Sequence, residues 1–156
     1  MKASDIMITP VVKALETDTI RTVLEKFVNQ RIGGVPIVDH ANQIKGYISD
    51  GDIMRAVSTQ SKVFIASPFY TSAWLDTQTL EEKYHEILDL CVMEFAKTKV
   101  VTVNVNTELE DVATILGRRH LKKVVVEKNG GYLAGVISRG DMVRFLSRHC
   151  SKKLLS

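Results

Sequence analysis

Two short runs, 89 residues apart, hold the residues of this chain that could do chemistry. Gly46-Tyr-Ile-Ser-Asp-Gly-Asp52-Ile-Met-Arg55 and Gly135-Val-Ile-Ser-Arg-Gly-Asp141-Met-Val-Arg144 each set a Ser three positions ahead of an Asp where a helix should begin. As an N-cap, Ser49 or Ser138 would pair with Asp52 or Asp141 in a capping box, which contributes about 1 kcal/mol. The same carboxylate at a strand-to-helix turn could instead accept hydrogen bonds from both hydroxyls of a ribose, with a nearby Gly admitting the ligand to the backbone. Capping explains the Ser and the Asp. It leaves the recurrence of Gly46 and Gly135, and of the Gly beside each Asp, unexplained, and on residue types alone both readings stand.

Nothing else in the chain forms a catalytic set. The four histidines (His40, His85, His120, His149) fall in different elements, and none has Cys, Asp or Glu at a metal-ligand spacing. A Walker-type phosphate loop, a Gly-x-Ser-x-Gly elbow and a paired-Cys motif are all missing. The expectation is a protein that is not an enzyme, with no metal and no obligatory cofactor.

The elements that must position the two motifs come from an internal repeat. Over residues 9–58 against 98–147, twelve of fifty pairs are identical without a gap, and most others keep polarity. A unit that cannot bury its apolar face alone stacks on its copy, and two copies should close with pseudo-twofold symmetry. Within a copy, a short apolar segment (Val11-Val12; Val100 to Val105) precedes a helix. Its apolar positions are Ile20, Val23, Leu24, Phe27 and Val28 in the first copy and Leu109, Val112, Ala113, Ile115 and Leu116 in the second. Gly33-Gly34 should break the first of these helices. Val35 to Val38 and Ile44 to Ser49 read as a strand hairpin, with Pro36 at an edge or bulge. A further helix opens at Asp52, so each copy reads β-α-β-β-α.

Residues 59–97 have no counterpart in the repeat. Thr79-Leu-Glu-Glu82 is a capping-box pattern, and Leu80, Tyr84, Ile87, Leu88, Cys91 and Phe95 recur on one face of an amphipathic helix. Phe64, Phe69, Tyr70 and Trp74 crowd ahead of it, as core cover or as a partner patch.

The composition (156 residues, 45% hydrophobic, 25% charged, net charge +3) is globular and excludes collagenous and disordered classes. No apolar run reaches the roughly 18–20 residues of a membrane span, and the start does not resemble a signal peptide, so a cytoplasmic protein is expected. Cys91 and Cys150 read as buried free thiols rather than a disulfide. Arg144, Arg148, His149, Lys152 and Lys153 make a basic end without interleaved aromatics, which argues for a solvated helix end and against nucleic acid.

The paired copies resemble two CBS motifs in tandem, the Bateman module. The first copy carries Asp5-Ile-Met7, Arg31-Ile-Gly-Gly-Val-Pro-Ile-Val-Asp39 and the terminal Gly-x-Ile-Ser-x-x-Asp; the second has Val92-Met-Glu-Phe-Ala96 in place of Asp-Ile-Met, and Val125 in place of Pro. On this resemblance residues 1–58 form the first repeat, 59–91 a linker with the amphipathic helix, 92–150 the second repeat and 151–156 a basic tail. It implies an α/β fold of two β-α-β-β-α repeats packed through their sheets with pseudo-twofold symmetry, leaving two clefts. It also implies that two modules pair into a homodimer, with Ile53, Val57, Val143 and Leu146 offered as interface.

Such modules bind adenine nucleotides or adenosyl compounds as regulatory ligands. Carried over by position, Asp52 and Asp141 hold the ribose, and Ser49 and Ser138 contact ribose or phosphate. The base rests near Thr9 to Val12 (Thr9 and Val11) and Thr98 to Val101 (Thr98 and Val100), with Ile37 and Val126 lining the pocket. Basic residues two and three positions before the middle Pro meet phosphate in relatives. Here those positions are Gly33 and Gly34 in one copy, but Lys122 and Lys123 in the other. Two ammonium groups facing a cleft would favour phosphates, while a solvated helix C-terminus would suit the same lysines. Arg139 could assist; its counterpart Asp50 would repel phosphate.

Two function classes follow. One is a stand-alone sensor of AMP, ADP, ATP or another adenosine-containing ligand that acts on a separate protein effector. The other is a ligand-free dimeric interaction module in which the motif only caps helices.

Overall fold

The computed structural model describes residues 1–58, 62–67, 70–76, 78–118 and 120–154, with the backbone alone at 62–67, 70–76 and 152–154. The first repeat runs α1 (Ala3–Ile6), β1 (Ala14–Leu15), α2 (Ile20–Gln30), β2 (Gly34–Val38), β3 (Ile44–Ser49) and α3 (Asp50–Ser58). A connecting region follows with β4 (Lys62–Ser67), β5 (Tyr70–Asp76) and α4 (Leu80–Ile87). After a 3₁₀ turn at Val92–Glu94, the second repeat continues as β6 (Thr102–Asn104), α5 (Leu109–Arg118), β7 (Lys123–Lys128), β8 (Tyr132–Ser138) and α6 (Arg139–Leu154). The class is mixed α/β, with two three-stranded sheets of order β1-β2-β3 and β6-β7-β8. In the second sheet β6 runs parallel to β7, and β7 runs antiparallel to β8.

Local chemistry explains the helix bounds. Thr19 caps α2 by accepting from the Thr22 amide at 3.4 Å. That helix ends at Arg31 in the left-handed region (φ 53°), ahead of the Gly33-Gly34 expected to break it. His120 repeats this conformation at the matching place (φ 51°).

Several expectations are corrected. The first apolar segment is strand not at Val11-Val12 but at Ala14–Leu15. Of the two places expected for Pro36, the edge is excluded, since Pro36 lies in the central strand of its sheet. Its counterpart Val125 shows why a missing donor is tolerated: that amide makes only a 3.4 Å bond, to the Val101 carbonyl. Val28 is exposed on α2. The amphipathic helix stops at Ile87, because the chain must turn so that the Leu90 carbonyl meets the Ile20 amide at 3.0 Å. Ile87 and Leu88 are buried, but Leu80 and Tyr84 are exposed and Lys83 takes a buried position. The connecting region also contains the antiparallel β4–β5 hairpin, with Phe64 opposite Trp74 in register, which the sequence reading lacked. The side chains of Phe64, Phe69, Tyr70 and Trp74, and those of Lys152 and Lys153, lie outside the described residues. Cys91 stands at a turn, half-buried, and donates to the Glu16 carbonyl at 3.3 Å; Cys150 is exposed.

Compact units cut across the repeat. One comprises residues 1–13, 38–45 and 99–156; the other comprises 14–37 and 46–98. In the first unit Ala3, Val103, Leu109, Val112, Leu116, Val124, Val126, Ile137 and Met142 form a buried cluster. In the second, Ile20, Val23, Phe27, Val35, Ile37, Ile48, Ile53 and Val92 are buried. Eight of these match across the repeat, Ala3 with Val92 and Ile20 with Leu109 through Ile53 with Met142. The opening segment of each repeat therefore sits in the unit of the other repeat. Ile8 and Val136 exchange backbone hydrogen bonds (2.8 and 3.3 Å), and so, 89 residues on, do Lys97 and Tyr47 (2.9 Å each).

Candidate functional site

Each Ser-x-x-Asp motif bridges the end of a strand and the first turn of a helix. At Asp52, one carboxylate oxygen accepts from the Ser49 amide (2.9 Å) and hydroxyl (3.1 Å), and the other accepts from the Arg55 guanidinium. At Asp141 the pattern repeats: the Ser138 amide at 2.8 Å, its hydroxyl at 2.7 Å, and Arg144 at 2.5 Å. The Asp141 amide also donates to the Ser138 hydroxyl at 3.1 Å, closing the capping box in full. Capping is thus realised in full at Ser138, while at Ser49 the carboxylate half of the box is formed. A carboxylate offers about four lone pairs, so acceptor capacity toward a ligand remains. Of the i,i+3 arginines, Arg55 had no role assigned from sequence and Arg144 was read only as part of the basic helix end; their spacing on one helix face was the available signal.

Two of the recurrent glycines, Gly46 and Gly135, have a structural cause. A Cβ on Gly46 would stand 2.9 Å from the Lys97 carbonyl oxygen, and one on Gly135 would stand 2.7 Å from the Met7 sulfur. Each makes room for the segment that opens the other repeat.

The surroundings of the two aspartates differ. Beside Asp141 lies a cavity of about 340 Å³, lined also by Ile6, Ile8, Arg144, Arg148 and His149. His149 stacks on Phe145, with ring centroids 5.1 Å apart. Burial alone would raise the Asp141 carboxyl, but the Ser138 amide and hydroxyl and then Arg144 hold it below its ordinary value. Lys123 is close enough to feel that charge; burial lowers its pKa and Asp141 partly opposes this. Lys122, by contrast, is exposed. In the second unit, Tyr47 takes the place near Asp52, its phenol pushed up to about 12 by burial and by the Asp50 and Asp52 charges.

The other expected residues divide between the units. Thr9, Val11, Val100, Lys122, Lys123, Val126, Ser138 and Asp141 belong to the first unit; Ile37, Ser49, Asp52 and Thr98 belong to the second. Val100 lines a separate concavity of about 400 Å³ with Lys99, Val101, Thr102 and Ile115. Ile37 and Val126 are fully buried core residues. No group of three or more His, Cys, Asp or Glu able to hold a metal occurs among the described residues. Among them, too, no helix is long and apolar enough to cross a membrane.

Two α/β repeats, each ending in a Ser-capped helix with an Asp in its first turn, define a tandem-repeat module. The CBS domain family matches residues 3–59 and 92–148, and the chain belongs to that family. It is 25% identical over 154 residues to the uncharacterized protein MJ1426 of Methanocaldococcus jannaschii, covering 94% of this chain and 91% of that protein. It spans about half the length of other curated relatives, such as 56% of the chloroplastic CBSX1 of Arabidopsis thaliana. Among solved structures it resembles CBSX2 in complex with AMP (TM-score 0.73, 20% identity, 96% of this chain and 98% of that one). It also resembles the CBS domain pair of MJ0100 in complex with 5′-methylthioadenosine and S-adenosyl-L-methionine (TM-score 0.68, 18% identity, 96% and 98%).

Proposed function

We propose that this chain is a regulatory module that senses an adenosine-containing ligand at its Ser-x-x-Asp sites. The observation that carries the reading is the Asp141 site. There a carboxylate kept ionised by Ser138 and Arg144 borders a cavity of about 340 Å³ that Arg148 and His149 also line, with Lys123 within electrostatic reach. Ionised oxygen acceptors suit a ribose diol, and the cations suit a phosphate. The AMP bound to CBSX2 and the adenosyl compounds bound to the MJ0100 pair support the same ligand class. Asp52 with Ser49 offers the second such site.

A cytoplasmic homodimer acting on a separate protein effector completes the proposal. Among the described side chains of α3 and α6, the exposed large apolar ones are Met54, Val143 and Leu146; Ile53 and Val57, offered from sequence as interface, are buried within their own unit. The competing reading, a ligand-free interaction module, draws on the complete capping box at Ser138 and Asp141 and the Ser49 amide bond to Asp52. Calorimetric titration with AMP, ADP, ATP, S-adenosylmethionine and a cyclic dinucleotide separates the two. Saturable binding of an adenosine compound, weakened by Asp141→Asn, is the expected result; no heat with any of the five would leave the interaction module.

A further inference from the structure

We infer that the motif site of the first repeat is closed to phosphate and takes only an uncharged or cationic adenosyl compound, with Tyr47 and Asp50 as the residues that decide this. The inference rests on the nucleotide-sensing reading and assigns the two sites different ligands.

Four positions change together between the copies. Where the second repeat has Lys122, Lys123, Val136 and Arg139, the first has Gly33, Gly34, Tyr47 and Asp50. The space vacated by the two glycines is taken. A Cβ on Gly34 would collide with the Tyr47 hydroxyl oxygen at 2.3 Å, and one on Gly33 would stand 2.8 Å from the Asp50 Oδ2. The positions that present two ammonium groups in one copy thus lie under a phenol and a carboxylate in the other.

The electrostatics follow. Three cationic side chains have been exchanged for one anion, and a phosphate oxygen brought to Gly33 would face the Asp50 carboxylate in place of any ammonium group. The Asp50 carboxylate at Gly33 is therefore the charge such a ligand meets, and the Asp50 and Asp52 charges both act on the buried Tyr47 phenol beside it. Arg55 bonds to Asp52 as Arg144 bonds to Asp141, so this pair is common to both sites. Accessibility differs as well: the Asp52 side chain is 4% exposed and that of Asp141 13%. An anion entering a partly desolvated site beside acidic oxygens loses hydration and gains repulsion, whereas a neutral ribosyl group meets no such repulsion.

The test is calorimetric, on the full chain, with AMP and adenosine as probes. Wild-type protein should bind two adenosines but one AMP per chain, the AMP surviving Asp52→Asn and disappearing with Asp141→Asn. Tyr47→Val combined with Asp50→Asn should strengthen AMP at the first site at least ten-fold, with the melting temperature and the Asp141-site affinity reporting that the variant is folded. Two equivalent AMP sites in the wild type, a single adenosine site, or a first site unchanged by the double variant would each overturn the inference while leaving nucleotide sensing intact. Absence of binding by both probes would instead overturn the sensing reading, and the inference with it.

Discussion

Met7 lies directly on Gly135, so that a Cβ added to the glycine would sit 2.7 Å from the thioether sulfur and 2.9 Å from the Met7 Cβ. The counterpart contact is Gly46 with the Lys97 carbonyl oxygen at 2.9 Å. Alanine at either position forces backbone or side-chain displacement in a packed interior, at a cost of about 1–3 kcal/mol. For a chain of this size that is a fall in melting temperature of roughly 2–12 °C. Gly46→Ala should be the worse, since a backbone carbonyl yields less than a methionine. Calorimetric melting of both variants checks this; unchanged midpoints would mean that the opening segments are not held against the strands.

Asp52→Asn should destabilise the ligand-free protein by about 1.5–3 kcal/mol. An amide cannot accept on both sides, so either Ser49 or Arg55 meets an N–H group in a buried setting. Asp141→Asn should cost less, because Asp141 is the more exposed. Urea midpoints of the two variants measure the difference, and equal losses would count against the burial argument.

Asp141 sets an acid limb. Its folded pKa is depressed, so its contribution is fully present above the unfolded value, near 4, and is lost as pH falls through the lower folded value. The stability gap between wild type and Arg144→Ala should therefore be largest at neutral pH and shrink below about pH 4. Denaturant midpoints at neutral and acid pH test it; a gap independent of pH would remove Arg144 as a cause.

At the alkaline end Tyr47 has the opposite sense. A phenol that ionises near 12 when folded but near 10 when unfolded releases its proton first from the unfolded chain, so its stabilisation is complete below pH 10 and lost as pH rises toward 12. Absorbance titration of the folded protein should show a component that ionises near 12, and Tyr47→Phe should abolish it.

Met54 and Val143 occupy matching positions on α3 and α6 and are 58% and 63% exposed. If they form the homodimer contact, Met54→Glu with Val143→Glu should yield monomers in sedimentation at micromolar concentration without lowering the melting temperature. A wild type that already sediments at monomer mass would exclude the dimer.

The sequence by itself determined the repeat, the α/β class and the capped Asp of each copy. Those features are written in local patterns: apolar spacing such as Ile20, Val23 and Phe27, and Ser three residues before Asp. Tertiary structure alone decided what the glycines are for. Gly46 answers to Lys97 and Gly135 to Met7, residues 51 and 128 positions away, and no local pattern encodes which distant segment will arrive. The same holds for Tyr47 over Gly34 and for the pairing of Pro36 in a central strand. Periodicity also carried the amphipathic helix past Ile87, where a long-range bond between Leu90 and Ile20 stops it. Helical spacing reports only which residues could share a face; where the chain must leave the helix is set by contacts made far along it.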